Sequence, residues 1–333
     1  MSPHSKTKMK PQLLLFFVFL CNCSAGKNEW EIFKAIHHKA YQNESEDNFR
    51  KSIFLSNLEL IESHNRKYDQ GLVSYSLQIN HFADHTVEEL TRGSRPSTKP
   101  HKKSSKASPR AEVPDSIDWR DFGVITPIVD QDICLTCWAF AVVAALEGHV
   151  GIHLGVKNET LSEENLVDCV YSDFECKEEM ERSALEDCYE YILDNGGIDT
   201  AASYPYDKEM EECRFKPENV GAQIKDYVTI AEGDEEEMKT VVGTIGPVSV
   251  IITADFTFMV YQKGVYYKED CVNTKEPYNH AVTVVGYGTE DGQDYWLVKN
   301  EWGLTFGDQG YIKMARNREN NCGIATYATY PIV

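Results

Sequence analysis

The amino-acid sequence predicts an α+β fold in two lobes, reached after a separate helical segment and a linker. Helix-patterned stretches dominate up to residue 195, and short β-rich runs punctuated by glycine take over after about residue 220. Residues 94–111 (SRPSTKPHKKSSKASPRA) are rich in Ser, Pro and Lys and carry no apolar periodicity. Such a run buries too little surface to fold and reads as an exposed, protease-accessible linker. The length of 333 residues also exceeds what one average domain needs.

At the N-terminus, Lys6, Lys8 and Lys10 precede the apolar run 13–20, and the small residues Ser24, Ala25 and Gly26 follow. That order predicts a secretory signal peptide over 1–25, with an apolar core too short to span a bilayer. No later stretch approaches about 18 uninterrupted apolar residues, so no transmembrane helix is expected. The expected route is the secretory pathway, to a lysosomal or extracellular destination where disulfides persist. Asn43-Glu44-Ser45 and Asn158-Glu159-Thr160 are N-glycan acceptor tripeptides in that setting.

Residues 26–93 form the next unit and read as mostly helical. Trp30, Phe33 and Ile36-His37 step along one face, and Phe49, Ile53, Phe54, Leu58 and Ile61 continue the spacing. The linker, 94–112, follows. In the body, 113–333, the stretch 138–150 (WAFAVVAALEGHV) reads as a helix buried nearly all round. A second helix begins at 162–168 with Ser162 as N-cap, and a third over 183–195 ends at Asn195-Gly196-Gly197. Val248–Ile252, Ala281–Tyr287, Tyr295–Lys299 and Tyr311–Ala315 read as strands.

Charge divides at the linker. Residues 1–111 hold 17 Lys and Arg against 11 Asp and Glu, while 112–333 hold 16 against 42, for a net charge of −20. A basic N-terminal part beside an acidic body is expected to associate with it electrostatically. The acidic body argues against nucleic acid as a partner.

The body carries eight cysteines, at 134, 137, 169, 176, 188, 213, 271 and 322. Zinc would need a second paired cluster, and only Cys134 and Cys137 have CxxC spacing, so no metal is expected. A redox pair at the start of a helix is a rival reading, but the βαβ pattern that should precede it is missing. A nucleophilic thiolate needs a base, and the body has three histidines. His149 lies roughly 18 Å along the helix axis from Cys137, out of reach. His149 and His153, one turn apart, read as packing residues. His280, at the start of an apolar strand, is left as the partner of Cys137.

The segments QDICLTCWAF (131–140), NHAVTVVGYG (279–288), LVKNEWG (297–303) and NCGIATYATYP (321–331) together resemble the papain family of cysteine peptidases. Glu46, Arg50, Ile53, Phe54, Asn57, Ile61 and Asn65, with Asn80, Phe82 and Asp84, are similar to the propeptide motifs of its cathepsin L-like branch. The similarity runs from about residue 29 to 333. It implies a papain-like fold, with a helical lobe and a β-barrel-like lobe flanking a cleft, and residues 26–93 as an inhibitory propeptide cut off within 94–112. It implies a cysteine endopeptidase, made as a zymogen, that needs no cofactor. Cys137 would be the nucleophile, favoured as thiolate by its helix N-terminus and by protonated His280. Asn300 would orient the imidazole under Trp302, and Gln131 with the Cys137 backbone N–H would hold the oxyanion. The bridges would be Cys134–Cys176, Cys169–Cys213 and Cys271–Cys322, leaving Cys188 as a buried thiol. Glu179, Met180, Ile251, Tyr278, Ala281 and Tyr327 would meet substrate beside Trp302. Partners would be protein or peptide substrates, the chain's own propeptide and cystatin-like inhibitors, and the enzyme would be a monomer.

Several positions depart from the family pattern. Leu135 and Thr136 stand where Gly and Ser or Ala are usual, and Leu135 is expected to add bulk or strain. Lys177-Glu178-Glu179 replaces Asn-Gly-Gly, Glu301 replaces Ser, and Phe306 replaces Trp. The alternative these changes raise is a degenerate papain-fold protein with weak or no proteolysis that acts in binding or storage.

Overall fold

Two amphipathic helices open the structure, a computed structural model that describes residues 28–91, 112–171, 185–271 and 278–333. Helix α1 (28–36) and helix α2 (Glu44–Asp69) cross at an aromatic cluster of Trp30, Phe33 and Phe54, with ring centroids 4.7–5.5 Å apart. Asn43 caps α2 by accepting from the Glu46 backbone N–H. The helical reading of this segment stops there. Tyr75–Leu77 forms strand β1, and only a 3₁₀ turn follows at Val87–Glu89. The reason is tertiary. Strand β1 satisfies its backbone on the edge of a body strand, β7 (Tyr261–Tyr266), with which it pairs antiparallel.

In the body, strand β2 (Ile117–Asp118) precedes helix α3 (Cys137–His153), which is buried on all sides as its sequence requires. Helix α4 (Glu163–Val170) starts at Ser162, whose hydroxyl accepts from the Asn165 N–H. Helix α5 (Leu185–Asn195) ends where Gly196 takes a φ of 79°. These helices and the antiparallel pair of β3 (Ile198–Asp199) and β4 (Val220–Ala222) enclose one core, around Trp138, Leu146 and Tyr189.

The second lobe is built from β5 (Asp226–Thr229), helix α6 (Glu235–Thr244), β6 (Val248–Ile252), the short helix α7 (Phe256–Met259), β7, β8 (His280–Glu290), β9 (Gln293–Lys299), β10 (Tyr311–Ala315) and β11 (Tyr327–Ile332). The strand order is β1-β7-β10-β9-β8-β6-β11-β5, with β2 on β8, and β7–β10 is the parallel pair. The α+β two-lobe architecture is the one expected, and the four strands read from sequence are present. Strands β5, β7 and β11 went unread. The polar YQKGVY of β7 and the Pro331 of β11 do not show alternating apolar character.

Disulfides join Cys169 to Cys213 and Cys271 to Cys322. Cys134 is also disulfide-bonded; its expected partner, Cys176, lies outside the described residues. Cys137 and Cys188 stand outside the disulfides, and burial pushes the Cys188 thiol well up, leaving it inert.

Candidate active site

Cys137 is the first residue of α3 and is 1 % exposed. One turn later, the Ala141 carbonyl accepts from Ser249 Oγ of β6 at 2.9 Å and from Thr283 Oγ1 of β8 at 3.1 Å. These bonds fasten the start of the helix to the strand that His280 begins. The His280 side chain is fully buried, and its Nε2 lies 2.8 Å from Asn300 Oδ1. The indole of Trp302 stacks on the imidazole at 4.5 Å between centroids, and Phe258 meets it edge-on at 5.8 Å. Phe306 backs both aromatic rings. Burial lowers the His280 pKa to about 4, against the opposing effect of the hydrogen bond that Asn300 Oδ1 accepts from the ring. In this closed state the imidazole is neutral.

Gln131 is buried, and its Nε2 donates to the Cys134 carbonyl at 3.0 Å. Its backbone N–H donates to the Glu301 carbonyl, while Gly303 N–H donates to the Val129 carbonyl, and Asp130 bridges Trp302. The loop before Cys137 and the loop carrying Asn300 and Trp302 are thus one backbone unit. Tyr206 braces it, donating to the Gln131 carbonyl at 3.0 Å and meeting Thr136 Oγ1 at 2.9 Å. Tyr206 escaped sequence reading because it lies far along the chain in an unpatterned loop. Leu135 does not have positive φ and is 4 % exposed, so the expected strain there is absent.

Ile251, Ala281 and Tyr327 sit side by side on adjacent strands, Ile251 being the register partner of both others. Tyr278 packs edge-on against Tyr327 at 5.1 Å. Glu179 and Met180 lie outside the described residues, as does the linker with its cleavage site. Asn43 and Asn158 are exposed. His149 and His153, the other body histidines, face the carbonyls of Pro247 and Ile245 through Nε2.

The N-terminal helical unit covers this site. Asn80 Nδ2 donates to the Met259 carbonyl at 2.8 Å, Gln78 N–H to the Val260 carbonyl, and Ser74 Oγ to the Val265 carbonyl. Phe82 meets Trp302 edge-on at 5.5 Å, and His81 Nδ1 lies 2.7 Å from Thr305 Oγ1. The ion pairs described run within the unit, such as Arg50–Glu89 and Lys39–Asp84, or within the body. Backbone pairing, side-chain hydrogen bonds and aromatic contact join the two among the described residues, while the basic run 94–111 that carries the expected charge attraction lies outside them.

Residues 113–332 match the model of the papain family cysteine proteases, and 30–90 match that of the cathepsin propeptide inhibitor domain. The chain belongs to the papain family of cysteine peptidases. It is 43 % identical to a cathepsin L-like peptidase of Aedes aegypti, over 96 % of this chain and 98 % of that one. It is 44 % identical to a cathepsin L of Sarcophaga peregrina, over 92 % and 93 %. The structure of a digestive procathepsin L2 of Tenebrio molitor larval midgut superposes with a TM-score of 0.85 at 40 % identity, covering 92 % of this chain and all of that one. This papain-family member is thus a cathepsin L-like cysteine endopeptidase made as a zymogen, and its propeptide is an intramolecular inhibitor of a site for protein substrates.

Proposed function

We propose that Cys137 and His280 form the thiolate–imidazolium pair of this endopeptidase. Cys137 Sγ would pass its proton to His280 Nδ1 and attack the peptide carbonyl carbon, while Gln131 Nε2 and the Cys137 N–H receive the oxyanion. His280 then protonates the leaving amine, and water, deprotonated by the same imidazole, hydrolyses the thioester. Asn300 holds the ring and Trp302 keeps water from that bond. The observation that carries this reading is the bond from His280 Nε2 to Asn300 Oδ1 beneath Trp302, on the strand to which the Cys137 helix is fastened.

The unit boundaries follow as proposals: a signal peptide over 1–25, a propeptide over 26–93, a cleaved linker over 94–112 and a monomeric peptidase over 113–333. Export through the secretory pathway to a lysosome or the outside, glycans on Asn43 and Asn158, and inhibition by cystatin-like proteins belong to the same reading. Met180, Ile251, Tyr278, Ala281 and Tyr327, with Glu179 at the rim, would line the pocket for the second residue before the scissile bond. The decisive experiment treats the matured protein with an epoxide active-site titrant and maps the adduct. Labelling at Cys137 with loss of activity supports the proposal, and an active protein labelled elsewhere rejects it.

A further inference from the structure

The carboxyl of Glu301 lies beside the imidazole. Its Oε1 is 3.2 Å from His280 Nε2, the same nitrogen that meets Asn300 Oδ1, and its side chain is 4 % exposed. The Nε2 hydrogen bond goes to Asn300 Oδ1, so Glu301 Oε1 lies within ion-pair distance of the ring but accepts no hydrogen bond, and Asn300 Nδ2 makes none either. The carboxyl meets its own backbone N–H, but a buried oxygen left unbonded is costly, so the atom that Oε1 faces matters.

The charged and titratable groups around it are few. Lys299 of β9 adjoins it, but its ammonium donates to the Thr126 carbonyl and hydroxyl at 3.0 Å each. Glu147 of α3 accepts from Thr126 Oγ1 and the Leu161 N–H. Glu163, at the start of α4, shares with Glu147, Lys299, Asn300 and Glu301 the wall of a cavity of about 170 Å³. Asp130, from the segment before α3, adds negative charge, and Cys137 lies at the head of α3. One ammonium thus faces several carboxyls, and the cation nearest to Glu301 is the imidazolium that forms on activation. In the closed zymogen, burial raises the Glu301 pKa and lowers that of His280, which favours the uncharged form of each.

We propose that Glu301 is a positioning residue for His280: in the mature enzyme its carboxylate, 3.2 Å from the Nε2 that Asn300 holds, stabilises the imidazolium by its charge and keeps it to higher pH than Asn300 alone would. The thiol proton moves from Cys137 Sγ to His280 Nδ1, Nε2 keeps its own proton, and Glu301 releases its proton to solvent. The inference rests on the Cys137–His280 reading above.

The test compares mature wild type with Glu301→Gln and Glu301→Ser. The rate of Cys137 alkylation by iodoacetamide and kcat/KM are followed against pH. An opposite charge at this distance shifts a pKa by about one to three units, so the alkaline limb of both profiles should fall by about one unit or more in each variant. Glutamine keeps the shape and an acceptor oxygen, and serine relieves the volume, so the two report the lost charge independently. Limbs that coincide with wild type, or move upward, overturn the role of Glu301. Wild type that does not alkylate at Cys137 overturns the catalytic reading instead, and this inference with it.

Discussion

At the scale of single residues, Cys137 and Cys188 give the sharpest contrast. Both are buried thiols outside the disulfides, but one opens a helix beside the histidine strand and the other sits inside α5. Cys137→Ser should abolish peptide hydrolysis with the fold kept, and Cys188→Ser should retain it, as measured by turnover of a fluorogenic peptide beside thermal unfolding. Removing His280 should cost the whole of general acid–base catalysis, about 100- to 10,000-fold, and Asn300→Ala should cost less, because Asn300 orients the ring and transfers no proton. Tyr327 bears on selectivity. Partly buried and edge-on to Tyr278, it makes the proposed pocket shallow, so Val or Leu should be preferred to Phe at the second position. Tyr327→Ala should raise the relative rate for Phe by about 10- to 200-fold, read as a ratio of kcat/KM values. A wild type that already cuts Phe peptides best, with no change in the variant, would reject the pocket.

At the scale of elements, one edge strand pairs the propeptide with the body. Strand β1 lies so close to β7 that a Cβ on Gly264 would come 2.3 Å from the Ser74 carbonyl oxygen. Gly264 also has a φ of 88°, where a side chain is disfavoured at about 1 kcal/mol or more. Gly264→Ala should therefore weaken propeptide docking at least about 10-fold beyond its cost to the mature domain. The inhibition constant of the isolated propeptide 28–93, added in trans to mature variant and wild type, checks this, with thermal unfolding of the mature forms as the control. Equal inhibition of both would mean that β1 is not what holds the propeptide. Helix α4 of the body needs no such partner to be read. Ser162 and Asn165 mark the start of α4 in sequence and make that cap in the structure, because a cap is decided within four residues.

At the scale of the whole molecule, acid should release the propeptide, and His81 is placed to make it do so. Burial, with Lys39 and other histidines nearby, lowers its pKa to about 4; Nδ1 faces Thr305 Oγ1 and Nε2 has no partner. A histidine free of this interface titrates near 6.5. The docked state is thus fully stabilised above about pH 6.5 and loses that stabilisation as pH falls toward 4, by at most about 3 kcal/mol. Asp84 works over a different range. Burial raises its pKa, but His85, Lys39 and Tyr41 together hold it well below the usual carboxylate range, so its contribution survives mild acid. His81→Asn should move the midpoint of acid self-processing downward by about half a pH unit or more, followed on gels across a pH series. The mature N-terminus should fall near Glu112 or Val113; a first cut inside 28–85 would count against this route.

The sequence by itself determined what is local or countable. Helix periods, the Ser162 cap, the apolar strands and the elimination of His149 all rest on spacings of a few residues, and they single out Cys137 and His280. Tertiary structure decided which side chains meet across long separations. That β1 is a strand follows from the edge of β7, more than 180 residues away, because backbone groups take whichever ladder is offered. That Tyr206 braces the Gln131 loop depends on packing that no periodicity encodes. Glu301 was visible in the sequence as a departure from the family pattern, but its meaning was not. Only the turn after β9 points its carboxyl at the imidazole, and the helical lobe on the other side keeps out the water that would otherwise make its charge of no account.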